Sequence, residues 1–211
     1  MFDRETLTFL TDLRANNCRD WFTAHRARYD AHVAAPVRAF SDALSAELER
    51  RAGAPVTAKF YRLNRDLRFA RDKTPYNTHV HLSFSAPDVP FAWMVGLEPG
   101  QLTLGFGAFA FPPALLARWR AVVDGPAGNE LAKRLDAMRA KGLRLSEPEL
   151  KRTPAPFDTD HPNASLLRHK SLAVWNDSLG VDAAFGAEAP QRLADEMTDF
   201  EPLRAWLIAH L

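Results

Sequence analysis

The sequence predicts an α+β protein in which an antiparallel β-meander sheet packs with N-terminal and C-terminal helices, and three observations predict it. Helical periodicity fills the chain up to Gly53, strict alternation appears at His79-Val80-His81-Leu82-Ser83-Phe84-Ser85, and helical periodicity returns after Pro112. Helices first, strands in the middle and helices last argue against alternating βαβ units with a parallel sheet.

Asp3 is placed to cap the first helix, with Phe2 and Leu7 as a hydrophobic staple across its start and Leu10 and Leu13 on the same face. Asn16 and Asn17 close that helix, and Asn17 is expected to cap the next one with its side-chain oxygen. The second helix carries Trp21, Phe22, Tyr29 and Val33. Pro36 then breaks or kinks it, because proline lacks the amide that the carbonyl of His32 would accept. Val37, Phe40, Leu44 and Leu48 continue at helical spacing to Gly53.

From Thr57 the chain turns to short segments rich in β-branched and aromatic residues, the first a strand at Lys59 to Leu63. In the alternating run Val80, Leu82 and Phe84 face inward. Strands at Phe91 to Leu97 and Gln101 to Phe109 follow, joined through Glu98-Pro99-Gly100-Gln101, a type II turn by composition. A sheet of about four to six strands is expected. Gly105-Phe106-Gly107 inside the last of these marks a bulge or a close backbone approach. Pro112-Pro113 starts a helix with Leu115, Leu116, Trp119 and Val122 on one side, and Leu131, Leu135 and Met138 define another that Gly142 stops. Residues 146–163 read as a long surface loop, Leu172 to Trp175 return to the sheet, and Pro190 to Leu211 are helical.

Composition bounds the functional classes. The chain has 211 residues, 46% hydrophobic and 25% charged, which suits a single α+β domain over residues 1–211. Its 27 Lys and Arg against 26 Asp and Glu give a net charge of +1 and no global attraction to a polyanion or an anionic membrane. A single cysteine, Cys18, forms no internal disulfide, and the N-terminus lacks the features of a signal peptide, so a reducing cytoplasm is expected. No window reaches the roughly 18 apolar residues of a membrane helix. The oligomeric state is not legible.

The chemistry concentrates at Lys59 to Lys73, KFYRLNRDLRFARDK, where Lys59, Arg62, Arg65, Arg68, Arg71 and Lys73 face only Asp66 and Asp72. Arginine offers a planar fork of donors that matches phosphate or carboxylate, so several arginines between two turns form a candidate clamp for a small anionic ligand. In that reading Arg62, Arg65, Arg68 and Lys73 hold the anion, while Asp66 and Asp72 orient them or act as a general base. Tyr76 and His79 supply neutral donors, and Asn17 and Trp21 form a wall of the cleft. Any reaction there would be hydrolysis or group transfer on an anionic small molecule. Two rivals stand beside it: a structural network of Arg and Asp, and a nucleic-acid or protein interaction module. The near-neutral whole, with Glu188, Asp195, Glu196, Asp199 and Glu201 towards the end, argues against nucleic acid. His79 and His81, with His161 beside Asp160, carry metal-ligand chemistry, but a pair at i and i+2 is weak. Neither a metal nor a cofactor is expected.

These residues resemble a widespread family of bacterial and fungal proteins of about this length, classed as a domain of unknown function. Its hallmarks are Asn-Asn-x-x-Trp-Phe and Arg-x-x-Arg-Asp-x-Arg-Phe-x-x-Asp-Lys-x-Pro-Tyr. They stand here as Asn16, Asn17, Trp21 and Phe22, then Arg62, Arg65, Asp66, Arg68, Phe69, Asp72, Lys73, Pro75 and Tyr76. The likeness continues through Tyr29, Pro36, His79, Leu150-Lys151-Arg152, Pro154, Asp160-His161-Pro162, Leu166-Leu167 and Lys170. Asn77, Pro156 and His81 depart from it, standing where lysine, glycine and a small residue are usual. The resemblance implies a site at Arg62 to Tyr76 and assigns no reaction.

Overall fold

The computed structural model describes residues 1–87 and 89–211. In chain order the elements are α1 (Arg4–Ala15), α2 (Arg19–Ala24), α3 (Arg26–Tyr29), a π turn (Asp30–Ala34), α4 (Ala35–Ala52), β1 (Thr57–Tyr61), β2 (Val80–Ser85), β3 (Ala92–Glu98) and β4 (Gln101–Ala108). Then come α5 (Pro113–Asp124), α6 (Pro126–Ala140), β5 (Arg144–Leu145), α7 (Ala164–Leu167), β6 (Leu172–Asn176), α8 (Ala189–Glu196) and α9 (Glu201–His210). The fold is α+β, with a six-stranded antiparallel sheet in the order β1-β2-β3-β4-β6-β5. The first four strands follow chain order, as a meander does. The chain packs as two compact units, one of Met1–Pro87, Met94–Leu104 and Ser178–Glu196, the other of a short segment ending at Trp93 with Gly105–Asp177 and Met197–Leu211.

In the first unit Asp3 caps α1 as the sequence predicts, and Thr6 completes a capping box in the place that Glu usually takes. Phe9, Leu10 and Leu13 are fully buried. The Phe2 ring packs tilted against that of Phe40 at 4.8 Å, and Phe2 bridges to Phe185. The expected second helix is divided: α2 and α3 are short, and a π turn leads into α4 with Pro36 in its first turn. Pro36 cannot donate to the carbonyl of His32, and the hydroxyl of buried Thr6 donates to that oxygen at 2.7 Å instead. The helical corner differs from expectation at its cap. Cys18 occupies the N-cap of α2 and makes no side-chain cap, while the Asn17 carboxamide expected there pairs with Tyr76 instead.

Strand β1 begins and ends two residues earlier than the sequence predicts and pairs with β2 from Thr57 opposite Ser85 to Tyr61 opposite His81. It forms one edge of the sheet. Val80, Leu82 and Phe84 are buried, as alternation requires, and α4 packs on β1 and β2. The turn into β4 holds Gly100 at φ 93°, the left-handed value that position i+2 of a type II turn demands.

In the second unit the side chains of Trp119 and Trp206 meet edge to face at 6.0 Å, and their indole N–H groups donate to the carbonyls of Leu166 and Ala127. Val123, one helical turn beyond Trp119, is the residue α5 buries, whereas Val122 is only half-buried. The expected close approach at Gly105 and Gly107 is present: Gly105 lies beneath the Trp175 ring and Gly107 against the backbone of Leu172 and Ala173. Strand β5, two residues paired with β6, was not expected, since so short a strand carries no alternation.

Candidate functional site

The cation-rich segment leaves the sheet after β1 and returns before β2 as a loop with a closed neck. The amide of Arg65 donates to the Pro75 carbonyl at 2.9 Å and that of Asn77 to the Leu63 carbonyl at 2.6 Å, forming an antiparallel bridge between Asn64 and Tyr76. Asn17 locks this neck to the helical corner. Its Nδ2 donates to the Tyr76 carbonyl at 2.8 Å and its Oδ1 accepts from the Tyr76 amide at 3.1 Å, so one carboxamide pairs with both main-chain groups as a neighbouring strand would. The Phe22 ring stacks on that of Tyr76 at 4.2 Å, and Phe22 in turn packs edge-on to Phe9 at 6.4 Å. The two sequence motifs therefore meet. Tyr76 is a buried anchor here, and Trp21 stacks on His25 at 4.1 Å.

Inside the loop the carboxylates meet the cations in pairs. Asp66 accepts from Nε and Nη2 of Arg68 at 3.0 and 2.6 Å, and from the Arg68 amide. Asp72 accepts from Nη1 of Arg65 at 2.6 Å and from the Thr74 amide at 2.9 Å, forming an Asx turn, while Arg65 Nη1 also donates to the carbonyl and hydroxyl of Thr74. Lys73 donates to the Leu67 carbonyl at 2.9 Å. The Thr74 amide above all, then Arg65 and the Thr74 hydroxyl, lower the Asp72 carboxyl to about 2. Arg68 holds the Asp66 carboxyl below the usual carboxylate range. Both acids are therefore anionic at neutral pH and weak as bases, which suits orientation of cations better than proton transfer. Exposed pairs of this kind add little stability.

A recess of about 400 Å³ opens beside these pairs, lined by Arg19, Arg62, Arg65, Asp66, Leu67 and Arg68. Of the residues expected to form a site, Arg62, Arg65, Asp66 and Arg68 line it; Asn17, Trp21, Asp72, Lys73, Tyr76 and His79 do not. The side chains of Arg19 and Arg62 make no hydrogen bond and no ion pair among the described residues. Arg65 and Arg68 keep donors to spare, since Arg65 binds through Nη1 alone and Arg68 through Nε and Nη2. Arg19 is the residue that sequence reasoning missed. Its one signal is position, two residues after Asn17, whose pairing with Tyr76 carries the corner to the loop.

His79 and His81 stack at 3.9 Å on β2 and its approach, near Glu98, whose carboxylate pairs with Arg14 at 3.3 Å. Burial lowers the basicity of both imidazoles. His161 is engaged within its own unit, 3.1 Å from the Asp124 carboxylate and accepting from the Asn163 amide. Among the described residues no three His, Cys, Asp or Glu side chains gather as metal ligands, and no helix is long and apolar enough to cross a membrane.

Comparison with known proteins matches residues 5–206 to the family described as Conserved hypothetical protein (DUF2461). No curated protein matches the chain.

Proposed function

We infer that this chain, which belongs to the DUF2461 family of conserved hypothetical proteins, binds a small phosphate-type anion in the recess lined by Arg19, Arg62, Arg65 and Arg68. One observation carries the reading: two guanidinium groups with no hydrogen bond or ion pair among the described residues, Arg19 and Arg62, share a recess with two that carboxylates hold in fixed orientation. Four guanidinium groups offset by only two carboxylates, Asp66 and Asp72, leave an excess of positive charge, and an oxyanion accepting from several forks relieves the remaining repulsion. Asp66 and Asp72 reduce the entropy lost on binding, because Arg68 and Arg65 are already oriented when the anion arrives. Depressed carboxylates beside the recess favour binding over acid-base chemistry.

The internal pairs favour a second reading, in which the arginines only brace the loop. Differential scanning fluorimetry separates the two. Inorganic pyrophosphate at millimolar concentration is expected to raise the melting temperature of the wild-type chain. Arg19→Ala and Arg62→Ala should abolish that rise without lowering the ligand-free melting temperature, since neither guanidinium group has a hydrogen bond or ion pair to lose. A wild-type chain indifferent to both phosphate and pyrophosphate would eliminate the binding reading and leave the bracing one.

A further inference from the structure

A second recess, of about 570 Å³, adjoins the first and shares Arg62, Arg65 and Asp66 with it. Its own walls are Lys59, Phe60, Tyr61, Asn64 and Asn77. We propose that the bound anion is the phosphate of a nucleotide, seated on the arginines with its base in this second recess against Tyr61; the proposal rests on the anion reading above.

Three features carry it. Tyr61 ends the edge strand β1 and is 40% exposed, one of few large aromatic rings the fold leaves in solvent, with Lys59 Nζ 4.8 Å from its centroid. A nucleobase presents a flat face to such a ring whatever its identity. The side-chain carboxamides of Asn64 and Asn77 also line the recess and make no hydrogen bond among the described residues. Each offers a donor and an acceptor side by side, the pattern that matches the edge of a base. Finally, Arg62 and Arg65 border both recesses, so a phosphate on their guanidinium groups and a base on Tyr61 belong to one molecule with a ribose between them. A sugar phosphate has no flat face for Tyr61, and an inorganic anion leaves both carboxamides without partners. The recess is also within the size range of small-ligand sites.

Isothermal titration of the full chain tests this with AMP, ribose 5-phosphate, pyrophosphate and a short single-stranded oligonucleotide. AMP should bind about tenfold more tightly than ribose 5-phosphate, the scale expected of one stacked base. Tyr61→Ala should remove that advantage and leave pyrophosphate binding intact, whereas Tyr61→Phe should keep it; Asn77→Ala should reduce it. Equal binding of AMP and ribose 5-phosphate, with pyrophosphate still bound, overturns the nucleotide proposal alone. Failure of every anion to bind overturns the arginine reading with it. An oligonucleotide that binds where AMP does not overturns the free nucleotide in favour of a strand.

Discussion

The side chain of Asn17 pairs with both main-chain groups of Tyr76, donating to its carbonyl at 2.8 Å and accepting from its amide at 3.1 Å. Fifty-nine residues separate the two, and the clamp fixes the neck of the arginine loop to the corner that carries Arg19. Asn17→Ala removes both bonds and leaves two main-chain groups to find water, a loss of about 1–3 kcal/mol. Urea unfolding measures it. Asn17→Asp should fare no better, because it keeps the acceptor but sets a carboxylate against the Tyr76 carbonyl. An Asn17→Ala chain as stable as wild type would mean that the Phe22–Tyr76 stack alone holds the neck.

Thr6 answers a second defect in the main chain. Its hydroxyl donates to the His32 carbonyl at 2.7 Å, the carbonyl whose α-helical partner would be the amide that Pro36 lacks, and it also accepts from the Asp3 amide at 3.3 Å. Thr6→Val keeps the shape, loses both bonds and should cost about 1–3 kcal/mol, while Thr6→Ser should recover most of that. Equal stability of the valine and serine variants in chemical denaturation would refute the role of the hydroxyl.

How much of this was legible follows from range. The Asp3 cap, the break at Pro36 and the alternation from His79 to Ser85 act over a few residues, and the sequence predicts each. Asn17 reads locally as a cap, because its side chain suits one and nothing nearby tells that Tyr76 will compete for it. Arg62, Arg65 and Arg68 were legible as a cluster. Their division into paired and unpaired cations was not, since Asp66 and Asp72 sit at spacings that permit several pairings and only the folded loop shows which are made. Arg19 lay outside any reading of the loop, because tertiary structure alone brings it to the recess.

Gly107 marks a place where close approach and backbone conformation coincide. Its φ is 149°, and a Cβ there would meet the Leu172 carbonyl oxygen and lie 2.6 Å from the Ala173 Cα. Gly107→Ala therefore combines overpacking against backbone, which cannot turn away, with a conformation that alanine resists, for a loss of roughly 2–5 kcal/mol. At Gly105 the obstacle is the Trp175 ring, a side chain that can shift. Gly105→Ala should cost less than Gly107→Ala in thermal unfolding, and the reverse order would contradict this account.

His79 and His81 give the chain an acid sensitivity whose sign follows from their surroundings. Burial lowers both imidazoles; in His81 the neighbouring His79 lowers it further, and Glu98 works the other way on each, with Arg14 opposing it at His79. A histidine that binds protons less readily when folded than when unfolded contributes its full stability above its unfolded value, about 6.5. That contribution is lost as pH falls below 6.5 and through the folded value, because the unfolded chain takes up the proton first. Stability should therefore decline below about pH 6.5, and His81→Gln should flatten the decline. Nuclear magnetic resonance titration separates the causes. In His79→Gln the midpoint of His81 should rise, since a neutral amide replaces a group that repels the second proton, whereas Glu98→Gln should lower both midpoints by removing a nearby negative charge. A His81 midpoint that ignores both substitutions would leave burial as the sole cause and deny any coupling across the 3.9 Å stack.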